Sequence, residues 1–171
     1  VMSLLMTATP LAMVACQHPF RDAAFVIQWH VIAMFAPSFF TGTLIKRYGV
    51  INVMLAGVVL NLGCIGVALA GLEVAHFWMA MVLLGVGWNF MFIGGTTLLT
   101  ECHTPSERAK AQGANDLAIF ITMAATSLSS GLLFTLQGWE LMNQLAVPFL
   151  LLTGVAMGWL AAVRRRLQSK P

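Results

Sequence analysis

Six apolar runs, at about 1–16, 23–45, 50–72, 75–100, 113–136 and 141–163, hold one carboxylate between them, Asp116, and no lysine or arginine. A helix crosses about 30 Å of hydrocarbon with roughly 20 such residues. Only helices and closed barrels satisfy every backbone polar group at that depth. The runs therefore predict an all-α, polytopic membrane protein: a single bundle of six transmembrane helices, with the lipid bilayer as its solvent. Composition points the same way. Charged residues make up 9% of the 171, against about 25% in soluble domains. That is too little polar surface to cover a water-facing globule, which excludes a soluble enzyme, a nucleic-acid module and a disordered tail.

The net charge of +3 does not ask for a nucleic-acid partner, because basic residues in so apolar a chain report topology. Lys46, Arg47, Arg108, Lys110, Arg164, Arg165, Arg166 and Lys170 fall on one side of a six-span weave, and Arg21 alone falls on the other. This asymmetry places the C-terminus and the loops after the second and fourth spans in the cytoplasm, the chain being multi-pass in a cell's inner membrane. No basic stretch precedes the first run, as a cleavable signal requires, and the chain, which begins at Val1, reads as a piece of a longer polypeptide. Cys16, Cys64 and Cys102 are odd in number and widely spaced, which argues against a disulfide framework or a structural zinc site. They are expected to be buried as small hydrophobes. Thr104-Pro105-Ser106-Glu107 reads as a capping box with proline at the first helical position, opening a helix that runs into the fifth span.

Polar side chains inside a span need partners, and face the bundle interior or an aqueous cavity. Gln28 and His30 lie toward the outer end of the second span, and Trp88 and Asn89 near the middle of the fourth. Asn89, Thr96 and Thr100, with Gly85, share one face of the fourth. Asn115, Thr122, Thr126 and Ser129 share one face of the fifth, at helical offsets. Such hydroxyls can line a substrate path, or bond back to their own helix while small residues aid packing. Asn89 beside Trp88 offers an amide and an aromatic wall suited to a small-molecule cavity. His30 is the one titratable group well inside a span, open to proton coupling or to a neutral hydrogen-bonded role. Asp116, near the start of the fifth span, is expected to pair with a basic loop group or to cap helix N–H groups.

Enzyme readings find no constellation. A six-span intramembrane serine protease needs GxSG, and Leu128-Ser129-Ser130-Gly131 lacks the first glycine; water-channel Asn-Pro-Ala motifs and a P-loop are absent. Glu101-Cys102-His103 is contiguous rather than spaced for one metal. No cofactor or metal is expected.

Two loops carry a resemblance. Gly42-Thr43-Leu44-Ile45-Lys46-Arg47-Tyr48-Gly49 resembles the G-x-L-x-D-R-x-G-R-R signature of the major facilitator superfamily. Gly42, Leu44, Arg47 and Gly49 match, Lys46 replaces the aspartate, and Val50-Ile51 replace the basic pair. Pro105-x-x-Arg108-x-x-x-x-Gly113 resembles the P-x-x-R-x-x-x-x-G element after the fourth and tenth helices of the same carriers. Trp29-His30 through Gly42, and Gly85 through Asn89, look like strings of a bacterial permease branch. The resemblance implies helices seven to twelve of a twelve-helix carrier, partnered by an N-terminal six-helix half. The whole would move a small solute by alternating access, coupled to protons or another ion. It further implies a cavity formed by spans one, two, four and five, with Trp88, Asn89, Thr126, Gln28 and His30 as cavity candidates. Gly42, Arg47, Gly49, Arg108 and Asp116 would belong to the cytoplasmic gate and its loops, and Asn61 would serve packing. The competing reading is a complete six-span substrate-binding subunit of an energy-coupling vitamin importer.

Overall fold

The computed structural model describes residues 1–102, 104 and 107–168, and every element among them is a helix. These are α1 (Met2–Ala15), α2 (Phe20–Phe35), α3 (Ser38–Tyr48), α4 (Val50–Ala70), α5 (Val74–Thr100) and α6 (Arg108–Gln168). His103, Pro105, Ser106 and Lys170 lie outside the described residues, and with them the proline of the second loop motif and one charge of the basic set.

The helices differ from the expected runs in three places, each with a local cause. The second run is two helices bent by 44°. Pro37 has no N–H and its ring crowds the preceding turn, so α2 stops at Phe35. A new helix starts where the Phe40 and Thr41 amides donate to the Pro37 carbonyl. The fifth and sixth runs are the two arms of α6, broken at Gly138 (φ 74°, ψ 178°). That left-handed φ is open to glycine without the penalty a side chain imposes. It turns the chain back, so that Thr122, Thr126 and Ser129 of one arm share a cavity with Leu145, Phe149 and Thr153 of the other. Finally α1, with 14 residues, is only about 21 Å long, short of a full hydrocarbon crossing. Helices α4, α5 and α6 are long and apolar enough to cross a membrane, and the bent pair α2–α3 together makes a fourth.

Hydrogen bonds and close contacts fix the arrangement. Helices α4 and α5 run antiparallel, with Gly57 against Gly87. Helices α2 and α5 run parallel, pinned at His30–Met81 and Met34–Asn89. The first arm of α6 lies parallel to α1, through Ser3–Met123 and Thr7–Ser127. Its second arm returns along α4, where the buried Trp139 indole donates to the Ala68 carbonyl at 3.0 Å. Burial drives helices together weakly when the surroundings are lipid, so close packing of small residues must contribute. Glycine permits it here: a Cβ on Gly87 would sit 2.9 Å from the Gly57 carbonyl oxygen. The core is formed by Leu5, Met13, Phe77, Met81, Leu84 and Met142, all fully buried. In contrast α6 buries 11% of its most apolar stretch, against 44% for α4 and α5. Its remaining surface is available to lipid or to another part of a larger protein.

One end of the bundle collects the Gly49 junction, the end of α5 and the final turns of α6. Lys46 and Arg47 stand in the last turn of α3, and Arg164 reaches Glu101 at 2.6 Å. The opposite end joins His18 to the Leu72 carbonyl and carries Gly138. Thr104 and Glu107 lie just before α6. The Glu107 carboxylate accepts from the Thr104 amide at 3.5 Å and from its hydroxyl at 2.8 Å. The reach-back half of the capping box is thus formed, while the hydroxyl donates to that carboxylate. The cysteines divide: Cys64 is buried as expected, Cys16 is half-buried, and Cys102 is exposed because it lies past the end of α5.

Candidate functional site

A cavity of about 350 Å³ opens between the start of α1, the middle of α5 and the first arm of α6. Its wall is Ser3, Trp88, Asn115, Thr122, Met123 and Thr126, with Val1, Met2, Ala118 and Ile119 between them. The volume falls at the low end of what small-ligand sites occupy. A second, largely apolar cavity of about 500 Å³ adjoins it, sharing Val1, Thr122 and Thr126 and closing against the second arm of α6.

Trp88 is the aromatic residue lining the first cavity, and two further rings outside the lining support it. Trp88 stacks on Phe92, with centroids 4.7 Å apart and planes 15° from parallel, and Phe35 meets Trp88 edge to face at 6.5 Å. One face of the indole is thereby occupied and the ring is held from two directions. Spacing explains this: Phe92 lies four residues after Trp88 and so above it on the same side of α5.

The hydroxyls along α6 are committed locally. Thr122 donates to the Ala118 carbonyl and Thr126 to the Thr122 carbonyl, both at 2.8 Å. Ser129 donates to the Ala125 carbonyl at 2.8 Å, and Ser3 to the Met123 carbonyl at 3.4 Å. A hydroxyl has one proton and two lone pairs, so these groups can still accept from a ligand but have spent their donors. The α6 hydroxyls thus bond back to their own helix, and Thr122, Thr126 and Ser129 also border the cavities.

Asn89, next to Trp88 in sequence, faces elsewhere. It is fully buried against the α2–α3 elbow, where its amide donates to the Met34 carbonyl and the Ser38 hydroxyl, each at 2.7 Å. Its oxygen accepts from Thr41 at 2.7 Å, and Thr41 shares the same proton with the Pro37 carbonyl. Asn89 thus bridges the chain where proline interrupts the helix ladder, and it is absent from the cavity walls. His30 is likewise fully buried between α2 and α5. Its Nδ1 lies 2.8 Å from the Met81 carbonyl, so that nitrogen carries the proton, and Nε2 has no hydrogen-bond partner among the described residues. Gln28 is exposed on α2 and is absent from the walls of both cavities. Asn61 packs over Gly87 at the α4–α5 contact.

The loop-motif residues sit at the basic end. Gly49 (φ 85°) ends α3, its amide donating to the Ile45 carbonyl, and starts α4. Arg47 is exposed and lies over the ring of Tyr48. Gly42 is exposed with open space around it, and Arg108 is exposed at the first position of α6. The expected basic or capping partner of Asp116 is replaced by amides: its carboxylate accepts from Gln112 at 2.9 Å and Asn115 at 3.4 Å. Gln112 lies one turn before Asp116 on the same helix, within easier reach than any loop cation.

Sequence reasoning places Asn115 and Thr122 on the polar face of the fifth span but not among the cavity candidates, and it does not single out Ser3; all three line the cavity. Asn115 opens the stripe that continues through Thr122 and Thr126, so the helical period marked its face. The pattern alone could not say that Asn115, rather than Asn89, would share a wall with Trp88.

The sequence matches the family model of the Major Facilitator Superfamily over residues 1–171. It is 50% identical over 157 residues, 92% of this chain, to "Riboflavin transporter RfnT" of Brucella anthropi, covering 39% of that protein. It is 32% identical over 99% of its length to "Uncharacterized MFS-type transporter YddS" of Bacillus subtilis, again covering 39%. The chain thus spans about two fifths of the length of these curated relatives. No solved structure matches it. These relatives are transporters, not enzymes, and the family match displaces the vitamin-importer subunit weighed above. With its apolar helices, the sequence match over its full length and the two loop signatures, the chain is an integral membrane protein that belongs to the major facilitator superfamily.

Proposed function

We propose that the chain forms the C-terminal six-helix half of a carrier that moves a small riboflavin-like solute across a bacterial plasma membrane. The observation that carries this reading is the 50% identity, over 92% of the chain, to a protein named as a riboflavin transporter. The N-terminal half of the same carrier is its partner. The two halves rock about a shared site to expose it alternately to each side. Motion is driven by a proton or other ion gradient, and the C-terminus is cytoplasmic, as the positive-inside rule asks of the basic end. Trp88 and Thr126, with Asn115 and Thr122, supply this half's part of the solute site. Asn89 and His30 hold α2 and α3 against α5 and act on that site through helix position. Gly42, Arg47, Gly49 and Arg108 serve the cytoplasmic loops that separate and meet during the cycle, and Asp116 fixes the start of α6 beside them.

The test is growth of a bacterium that can neither make nor import riboflavin, expressing the full-length gene. Growth on low riboflavin with flavin accumulating in the cells is expected, and a protonophore should abolish it. Failure to restore growth by a protein that reaches the membrane would overturn the riboflavin reading.

A further inference from the structure

We infer that Asn115 and Trp88 form a subsite for a planar ring bearing an imide edge, with Trp88 as the stacking surface and Asn115 as the polar recognition group. This rests on the flavin-type reading above and specifies which end of the solute the C-terminal half holds.

The cavity's own chemistry singles out Asn115. The hydroxyls of Ser3, Thr122 and Thr126 all donate to helix carbonyls, which leaves them lone pairs only. A ligand carbonyl facing them would find no donor. Among the described residues the Asn115 carboxamide makes a single hydrogen bond, a long 3.4 Å contact from Nδ2 to Asp116. A carboxamide has two N–H donors and an oxygen with two lone pairs, so one N–H and the oxygen remain for a ligand. That adjacent donor and acceptor match an imide, which presents N–H beside C=O, and the two can pair through two parallel hydrogen bonds. The isoalloxazine ring of riboflavin carries such an edge at its pyrimidine end.

Trp88 completes the subsite. Phe92 covers one face of its indole and Phe35 abuts it, while the residue lines the cavity with Asn115. An aromatic ligand gains from offset stacking on a ring already immobilised, since no rotamer freedom is lost on binding. Met123 and Ile119 add apolar lining to the same cavity. A flat ring against Trp88, with its polar edge toward Asn115, leaves its sugar-like tail to the half of the carrier outside this chain.

The experiment compares transport of riboflavin and N3-methylriboflavin, which lacks the imide proton, by the full-length carrier and its Asn115→Ala and Asn115→Gln variants. The wild type should prefer riboflavin by about ten-fold or more, because a site built to bond an N–H rejects a ligand without it. Asn115→Ala should lose most of that preference by losing riboflavin uptake, at unchanged membrane abundance. Flavin emission should be quenched on binding to purified wild-type carrier and much less by Trp88→Leu. Equal transport of both flavins by the wild type would overturn this inference while leaving the function above intact, and the wild-type measurement needs no variant to fold. Preference retained in Asn115→Ala would overturn it equally. A wild type that moves neither flavin would overturn the function and this inference together.

Discussion

Replacing Asn89 by alanine removes three hydrogen bonds at once, to Met34, Ser38 and Thr41, each 2.7 Å long. All three lie where Pro37 has interrupted the helix ladder, so no neighbouring amide is positioned to take them over. Side-chain hydrogen bonds in membrane bundles contribute about 0.6 kcal/mol on average, and buried bonds in general about 1 kcal/mol. The expected loss is therefore about 2–3 kcal/mol, concentrated at the α2–α3 elbow. Unfolding of the purified full-length carrier in denaturing detergent measures it. Asn89→Ala should lower stability by that amount, and Thr41→Val should cost less, because Thr41 keeps no more than one shared proton in the cluster. In a double-mutant cycle the two should couple by about 0.6–1.7 kcal/mol. Transport should fall in proportion to folded protein, with the solute's apparent KM little changed. An Asn89→Ala carrier of undiminished stability whose KM rises sharply would refute the elbow role and place this amide in contact with solute.

Two further substitutions probe the packing. A Cβ on Gly85 would lie 2.7 Å from the His30 carbonyl oxygen and 3.0 Å from the Met34 amide nitrogen, backbone atoms that cannot swing aside, and 2.8 Å from the Ala33 Cβ, which has no rotamer to move to. Gly85→Ala should therefore cost about 1–3 kcal/mol and reduce monodisperse carrier on size-exclusion chromatography; wild-type behaviour would mean that α2 and α5 are not in such close contact. Arg164→Gln should behave differently, since both members of its pair with Glu101 are more than a third exposed. A loss below about 1 kcal/mol, vanishing in high salt, is expected, and a large salt-insensitive loss would contradict a solvated pair.

Much of the architecture was legible because membrane insertion is decided by local composition. A run of apolar residues must be a helix in lipid, and basic residues gather at one end whichever helices they flank. The breaks at Pro37 and Gly138 were partly legible too, as a proline within the second run and a glycine between the fifth and sixth. What was not visible was that the α2–α3 break would bend by 44° and recruit an asparagine from α5. Asp116 shows the same limit: its amide partner Gln112 was four residues away in sequence, but the choice between that and a loop cation depends on where the loop goes.

Trp88 and Asn89 mark the division between what sequence and structure decide. By itself the sequence determined that this is a six-run membrane chain with all but one of its basic residues on one side and the loop signatures of a carrier family, and that a polar pair sits mid-span in α5. It could not assign the pair's roles, because consecutive residues on a helix point about 100° apart and each direction is given meaning only by whichever helix packs there. Tertiary structure turned Asn89 toward an elbow some 50 residues earlier in the chain and left Trp88 on the cavity. It then supplied Trp88 with a different amide, Asn115, from a helix that the local pattern could not bring near.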